Sequence, residues 1–482
     1  MRIALVNPVA RRVQGYHTIG SLIPQLGLQV LARATPAGHT VELIDEIFGT
    51  EQTAGLLVPQ RYDLVGVTAY TSTAPRAYEL AAVCRARGIP CIMGGPHAWA
   101  RPDEAGGHFN SVAVGECDDV WPQVVADAAA GRLRPRYQGR LADLKAGHGA
   151  ADQSLRPLNG RYTVSCIQTS RGCPVGCDFC SVTLYNGPQI RRRPADEIVA
   201  EWNQTSKPFV FVVDDNFFGV GPKHAEEAKE ILRAIIARGK RRRWFSQTTV
   251  NMGADEEGLR LAYRAGCRGM LVGFETFNPE NMKDYHKGLN RNLIPHYRRM
   301  VEGFHRAGLA VFGCFIIGGE ADTEETVART ALQAVQLGVD IVQITNLTPL
   351  PGTRFYDRLT KEGRILASDY PKDWERYTFT ETVYEPRGMT AQRLDETMYE
   401  LRLAAARRHW VWKRTLESLW RTRSLETTAF VHGMNRGFKR MAREQVPVDR
   451  GRFGYDPAES GRMALLRRAF AWRHGALLEA QG

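Results

Sequence analysis

Three cysteines within eight residues, Cys173-Pro-Val-Gly-Cys177-Asp-Phe-Cys180, constrain this chain more than any other feature. They follow a strand-like run from Tyr162 to Thr169, where the chain gives way to a loop. Spacings of three residues and then two let one loop wrap a cube-shaped iron–sulfur cluster and offer a sulfur to each of three irons. The fourth iron then has no protein ligand, and a small chelating molecule must complete it. Zinc with a His as fourth ligand is the competing reading, but such sites usually build two short knuckles, and no second CxxC or HxxxH follows. Nine cysteines, an odd number, fit a disulfide framework poorly. The other six, Cys84, Cys91, Cys117, Cys166, Cys267 and Cys314, lie in apolar segments and read as small buried hydrophobes.

At 482 residues the chain has room for two to four domains. No run of about 18 apolar residues suggests a spanning helix, and the opening MRIALVNPVARRV reads as a first strand, not a targeting peptide. An oxygen-sensitive cluster and reduced thiols point to the cytoplasm.

Strands and helices alternate from the start: strand Arg2 to Asn7, helix Leu26 to Arg33, strands Thr40 to Asp45 and Tyr62 to Thr68, helix Ala74 to Arg87, strands Pro90 to Met93 and Ser111 to Val114. This is the pattern of a doubly wound, Rossmann-like parallel sheet, whose ligands bind at the carboxyl ends of its strands. The turn residues fall there: Asn7-Pro8, Thr68-Ala69-Tyr70-Thr71, Gly94-Gly95-Pro96-His97 and Gly115-Glu116. No G-x-G-x-x-G follows the first strand, which counts against a nicotinamide or flavin site. Residues 127 to 159 are polar and aperiodic and look like a linker. Beyond the cysteines come roughly six strand and helix pairs up to Pro351, a partial (β/α)6 TIM-like barrel with active groups at the strand C-termini. Asp214-Asp215, Ser246-Gln247, Glu275 and Gly318-Gly319 sit at those ends. The expected division is 1–135 for the first domain, 136–160 for the linker, 161–360 for the barrel and 361–482 for a mostly helical, basic domain.

The cysteine spacing, with Phe179 before the last Cys, resembles the radical S-adenosylmethionine (SAM) enzymes. The first domain is similar to the cobalamin-binding domain of one large branch of them, through Pro24-Gln-Leu-Gly-Leu28, Gly38-His-Thr-Val41, Gly94-Gly-Pro-His97 and Val114-Gly-Glu116. The resemblance implies a 4Fe-4S cluster on Cys173, Cys177 and Cys180. It implies SAM held near Phe179, Asp214, Asp215, Ser246, Gln247 and Glu275, with Lys287-Gly288 beside the ribose and Gly308 to Gly319 as the adenine wall. Cobalamin, as methylcobalamin, would lie against Thr68, Tyr70, Gly94, Gly95, Pro96, His97, Gly115 and Glu116. The Asp-x-His-x-x-Gly motif whose His ligates cobalt elsewhere is missing, and His97 reads as a loop contact. Glu275-Thr276 stands where relatives usually show Glu-Ser, which keeps the hydroxyl. The implied activity is methylation of an unactivated carbon of a small-molecule or lipid substrate, with electrons from an external donor of the flavodoxin or ferredoxin type. Two alternatives are a cyclase or ring-rearranging enzyme of the same branch, without net methyl transfer, and a non-catalytic cobalamin- or cluster-binding regulatory module.

Net charge is +12, and the residues from Leu401 onward hold 17 Lys and Arg against 7 Asp and Glu. Nearly all the basicity therefore belongs to the C-terminal region. A helix is expected over Ala391 to Trp420, then basic, apolar stretches over Phe430 to Arg443 and Met463 to Trp472. Basic helices bearing Trp suit contact with an anionic membrane surface. Nucleic acid is disfavoured, because no RNA-binding module is recognisable.

Overall fold

The computed structural model describes residues 1–10, 23–50, 52–158, 160–405 and 407–453. The expected Met463 to Trp472 stretch lies outside these residues.

The first sheet contains β1 (Arg2–Asn7), β2 (Thr40–Asp45), β3 (Leu64–Thr68), β4 (Cys91–Gly94), β5 (Ser111–Val114) and β6 (Arg136–Gln138), in the order β2-β1-β3-β4-β5-β6. All its pairings are parallel. Ile3, Ala4, Leu5 and Val6 are fully buried, as a strand covered on both faces requires. The order reverses at β1, and a crevice opens there at the strands' carboxyl ends. The sequence reading placed a structureless linker where β6 instead extends the sheet, because three residues are too short to show an alternation. Likewise, helices Trp121–Ala129, Pro102–His108 and Ala195–Gln204 had no counterpart in the sequence reading.

The second sheet contains β7 (Ser165–Ile167), β10 (Phe209–Val212), β11 (Arg243–Thr248), β12 (Cys267–Glu275), β13 (Ala310–Ile317) and β14 (Ile341–Asn346). Each strand pairs in parallel with its neighbour in sequence. A two-stranded ribbon of β8 (Ser170–Arg171) and β9 (Arg191–Arg192) frames the cysteine loop. Between helices Gly288–Leu293 and Tyr297–Arg306 a 3-10 turn over Ile294–His296 holds Pro295. Proline cannot donate the helical hydrogen bond at that position. The expected helix over Ala391 to Trp420 is two helices, Ala391–Ala405 and Arg408–Thr422.

The floor of the barrel is closed by helix Leu425–Phe453. Phe430 stacks on Phe209 with ring centroids 5.6 Å apart, and Phe438 meets Phe312 edge-on at 5.4 Å. Glu426 pairs with Arg243 and Arg268 at the starts of β11 and β12, while Asn435 donates to the Asp340 carbonyl before β14 at 3.0 Å. Part of the basic tail is therefore a structural plug. No helix among the described residues is long and apolar enough to cross a membrane.

A Cβ at Gly269 would lie 2.5 Å from the Phe430 ring, whereas one at Gly433 would meet nothing within 4 Å. Gly269→Val is expected to destabilise the protein by about 1–3 kcal/mol through overpacking. Gly433→Ala should be neutral or stabilising by up to ~1 kcal/mol. Denaturant unfolding of the two variants checks the contrast.

Candidate active site

The cysteine loop leaves β8 through Gly172, whose φ of +97° and whose missing Cβ, which would sit 2.1 Å from the Gln189 carbonyl, both require glycine. Cys173 N–H donates to the Gly187 carbonyl at 3.3 Å, and Cys180 N–H to the Cys177 carbonyl at 3.1 Å. Asp178 anchors the loop's middle. Its N–H donates to the Tyr285 carbonyl at 3.2 Å, and its carboxylate pairs with Arg354 at 2.6 Å and His286 at 2.8 Å. Phe179 packs edge-on against Tyr285 at 5.1 Å.

All three cysteines are free and half-buried. Burial raises the Cys177 thiol to about 11 and the Cys180 thiol to about 12, against an opposing pull from the Lys287 ammonium. Among the described residues no three His, Cys, Asp or Glu side chains form a single-ion site. Three unoxidised thiols on one loop, with no fourth protein donor joined to them, are the donor set that a cluster with one open iron needs.

Asp214 and Asp215 clamp this loop at its base. Asp214 is fully buried and accepts from Thr169 N–H at 2.6 Å, Ser170 N–H at 3.1 Å, Ser170 Oγ at 2.8 Å and Thr169 Oγ1. Asp215 accepts from Gly172 N–H at 2.8 Å and Asn186 Nδ2 at 2.9 Å, and burial lifts its carboxyl to about 6. The family resemblance implies a SAM contact for both. Asp214 is instead sealed from the cleft by its own donors, while Asp215 lines the cavity with its carboxylate already engaged. Ser246 is corrected in the same way: fully buried, it donates to the Val212 carbonyl at 2.7 Å. Strand alternation turns Ser246 away from the cleft and sends Gln247 into it.

Glu275 ends β12 at a register shift against β13, with φ +65° in a non-glycine residue. That unusual conformation aims the side chain at Lys287, with which it forms a buried ion pair. Lys287 and Glu275 lie within electrostatic reach of Cys177. Asn290 Nδ2 donates to the Gly273 carbonyl at 2.7 Å, and its Oδ1 is buried without a partner. An unsatisfied acceptor beside the Glu275 to Lys287 pair suits a polar ligand such as a SAM ribose.

A cavity of about 580 Å³ separates the two sheets. Thr68, Tyr70, Gly94, Gly95, Pro96, Gly115 and Glu116 line one wall, and Gln168, Tyr185, Phe211, Val213, Asp215 and Gln247 line the other. A Cβ on Gly94 would meet nothing within 4 Å, so the bare backbone opens onto the cavity, as close approach of a large planar ring demands. His97 does not face it. The helix Pro96–Ala100 carries His97 underneath, where it is fully buried between Tyr78 Oη at 3.0 Å and Glu104 at 3.4 Å.

Glu116 lines the cavity, but its carboxylate is occupied by Arg171 at 2.8 Å and by Arg191. Asp118 takes the other side of the Arg171 guanidinium at 2.8 and 3.0 Å. Arg171 immediately precedes Gly172 and the first cysteine. Residue order gives no sign of this network, whose partners are 53 to 75 residues apart. Arg171→Met should leave two buried carboxylates short of a cation and cost about 3–5 kcal/mol. Denaturant unfolding measures that loss, and Ser246→Ala is the control, expected to cost only about 1 kcal/mol.

Residues 167–334 match the family profile of the Radical SAM superfamily, and residues 15–125 match that of the B12 binding domain. The bacteriochlorophyllide d C-8(2)-methyltransferase of Chlorobaculum tepidum is 29% identical over 75% of this chain and 82% of its own length. The hopanoid C-2 methylase of Rhodopseudomonas palustris is 26% identical over 73% of this chain and 67% of its own. Among solved structures, the cobalamin-dependent SAM radical enzyme OxsB, with aqua-cobalamin and SAM bound, shares the fold at a TM-score of 0.64 and 15% identity, covering 97% of this chain and 83% of that one. TsrM from Kitasatospora setae, with cobalamin and a [4Fe-4S] cluster, does so at 0.60 and 19%, covering 82% and 84%. The chain thus pairs a Radical SAM domain with a B12 binding domain, the organisation of the cobalamin-dependent radical SAM enzymes.

Proposed function

We propose that the chain methylates an unactivated carbon of an apolar, lipid-like small molecule held between the two sheets. When bound, the cluster with SAM supplies a 5'-deoxyadenosyl radical that abstracts hydrogen, and the corrin supplies the methyl group. The single observation that carries this reading is the cavity itself, which has the glycine-edged strand ends on one wall and the clamped cysteine loop beside the other.

The protein's own residues position and exclude. Cys173, Cys177 and Cys180 would hold the cluster. The Glu275 to Lys287 pair and the Asn290 acceptor would hold SAM beside it, and Gly94, whose missing side chain leaves open space, would admit the corrin to the backbone beside Gly95 and Gly115. Tyr185, Phe211 and Val213 offer apolar surface to a substrate, while Gln168 and Gln247 are polar groups able to orient it. The apolar lining supports a lipid or terpenoid, and so do relatives named for bacteriochlorophyllide and hopanoid substrates. Electrons would come from a flavodoxin- or ferredoxin-type donor in the cytoplasm, with a peripheral membrane contact through the C-terminal helices. The Glu275 to Lys287 pair and the unpartnered Asn290 acceptor, a polar place for SAM, favour turnover over a regulatory module.

Anaerobically reconstituted protein, given SAM and a strong reductant, should bind about one corrinoid per chain and release 5'-deoxyadenosine. The triple variant Cys173→Ala, Cys177→Ala, Cys180→Ala should release none, and equal yields would defeat the reading. With deuteromethyl SAM and a lipid extract, S-adenosylhomocysteine should accumulate alongside 5'-deoxyadenosine, and a lipid should gain the label. Deoxyadenosine without S-adenosylhomocysteine would favour the ring-rearranging alternative.

A further inference from the structure

Helices Arg408–Thr422 and Leu425–Phe453 form a hairpin turned at Arg423, which adopts a left-handed φ of +50°. Its inner face is fixed to the barrel floor: Arg414 donates to the Val339 carbonyl at 2.9 Å, Arg421 to the Gly338 carbonyl at 2.7 Å and Thr427 to the Gly308 carbonyl at 2.6 Å. That leaves one outer face. On the first helix the exposed residues Arg408, Trp412, Leu416, Leu419 and Trp420 recur at helical spacing, and on the second Leu425, Ala429, Gly433, Arg436, Arg440 and Arg443 do the same. Trp412 lies 5.0 Å from His432, so the two stripes share a side.

The face is graded along its length. Near the turn it is apolar, with Trp420 82% exposed and Leu425 77% exposed. Farther along it becomes basic, with Arg436, Lys439, Arg440 and Arg443 on one wall of a groove of about 780 Å³ floored by Ala429 and Gly433. Arg436, Lys439 and Arg443 have no carboxylate partner among the described residues. Burial and the like charges of Arg443, Arg408 and Arg436 hold the Lys439 ammonium below its usual range. An apolar tip followed by cations without carboxylate partners complements an anionic bilayer: its acyl boundary takes the tip and its phosphates take the cations.

We propose that this hairpin face is a docking site for an anionic lipid bilayer, with Leu416, Leu419, Trp420 and Leu425 entering the interface and Arg436, Lys439 and Arg443 meeting phosphate headgroups. The proposal rests on the peripheral contact put forward above and gives it a location, while the methyl-transfer reading stands or falls separately. The site lies under the barrel floor, away from the cavity between the sheets. Docking there would hold the enzyme at the surface where a lipid substrate is concentrated.

Full-length protein should co-sediment with phosphatidylglycerol-containing vesicles and about tenfold or more weakly with pure phosphatidylcholine vesicles. Trp420→Ser with Leu425→Ser should lower binding to both, while Arg436→Glu with Arg443→Glu should abolish the preference for phosphatidylglycerol. All four residues are exposed, so unchanged 5'-deoxyadenosine release from the reconstituted variants would show that their fold is intact. Equal sedimentation with both vesicle types, or no loss in either variant, overturns the proposal. So does a dimer in light scattering that Trp420→Ser dissolves, or binding to duplex RNA in place of vesicles.

Discussion

The buried pairing of Arg171 and Arg191 with Glu116 and Asp118 ties the first sheet to the cysteine loop of the second. Arg171 stands one residue before the turn into the cysteine loop, and Glu116 stands one residue after the glycine at the end of β5. The pairing therefore joins the strand ends that edge the cavity on one side to the cluster loop on the other. Buried charges are tolerated when paired, and here two guanidinium groups face two carboxylates, which also accept from the Gly149 and Ala142 N–H groups at 2.8 and 2.9 Å. Such a network specifies one relative placement, because a small slip would leave a charge unpaired in a dry interface. Asp214 and Asp215 extend the same function inward by gripping both ends of the loop.

The cysteine motif was legible because its ligands lie within a single loop, where spacing along the chain is spacing in space. Both parallel sheets were legible for a similar reason: continuous apolar strands ending in glycine and acidic turns carry their own punctuation. Orientation at those strand ends was not. Ser246 and Gln247 are adjacent, and only the phase of β11 against its helices decides which one faces the cleft. His97 sits in a turn that reads as cavity lining, yet one short helix carries it beneath Trp374, with ring centroids 5.4 Å apart. Asp214 looked like a ligand to an ammonium because four neighbouring donors, two of them side-chain hydroxyls, cannot be foreseen from residue order. The Arg171 network, spread over more than fifty positions, left no local trace at all.

The C-terminal region shows how composition alone can merge two roles. Its charge suggested a single basic surface, but Arg414 and Arg421 turn inward to cap barrel carbonyls and Phe430 and Phe438 fill the floor. Among the described residues, one face of the hairpin keeps cations and large apolar side chains in solvent. The plug also matters to the chemistry, since a partial barrel with an open floor would admit water to the space below the cofactors, where a carbon radical must be protected.

The buried ion pairs should hold the corrin wall and the cluster loop at one fixed separation. Pulsed dipolar electron paramagnetic resonance between the reduced cluster and cobalt(II) corrin, on reconstituted protein, measures it directly. A single fixed separation gives one narrow distance distribution in the native chain that broadens when Arg191→Met, at the edge of the network, weakens the pairing. A broad distribution in the native protein, or one that Arg191→Met leaves unchanged, would contradict it.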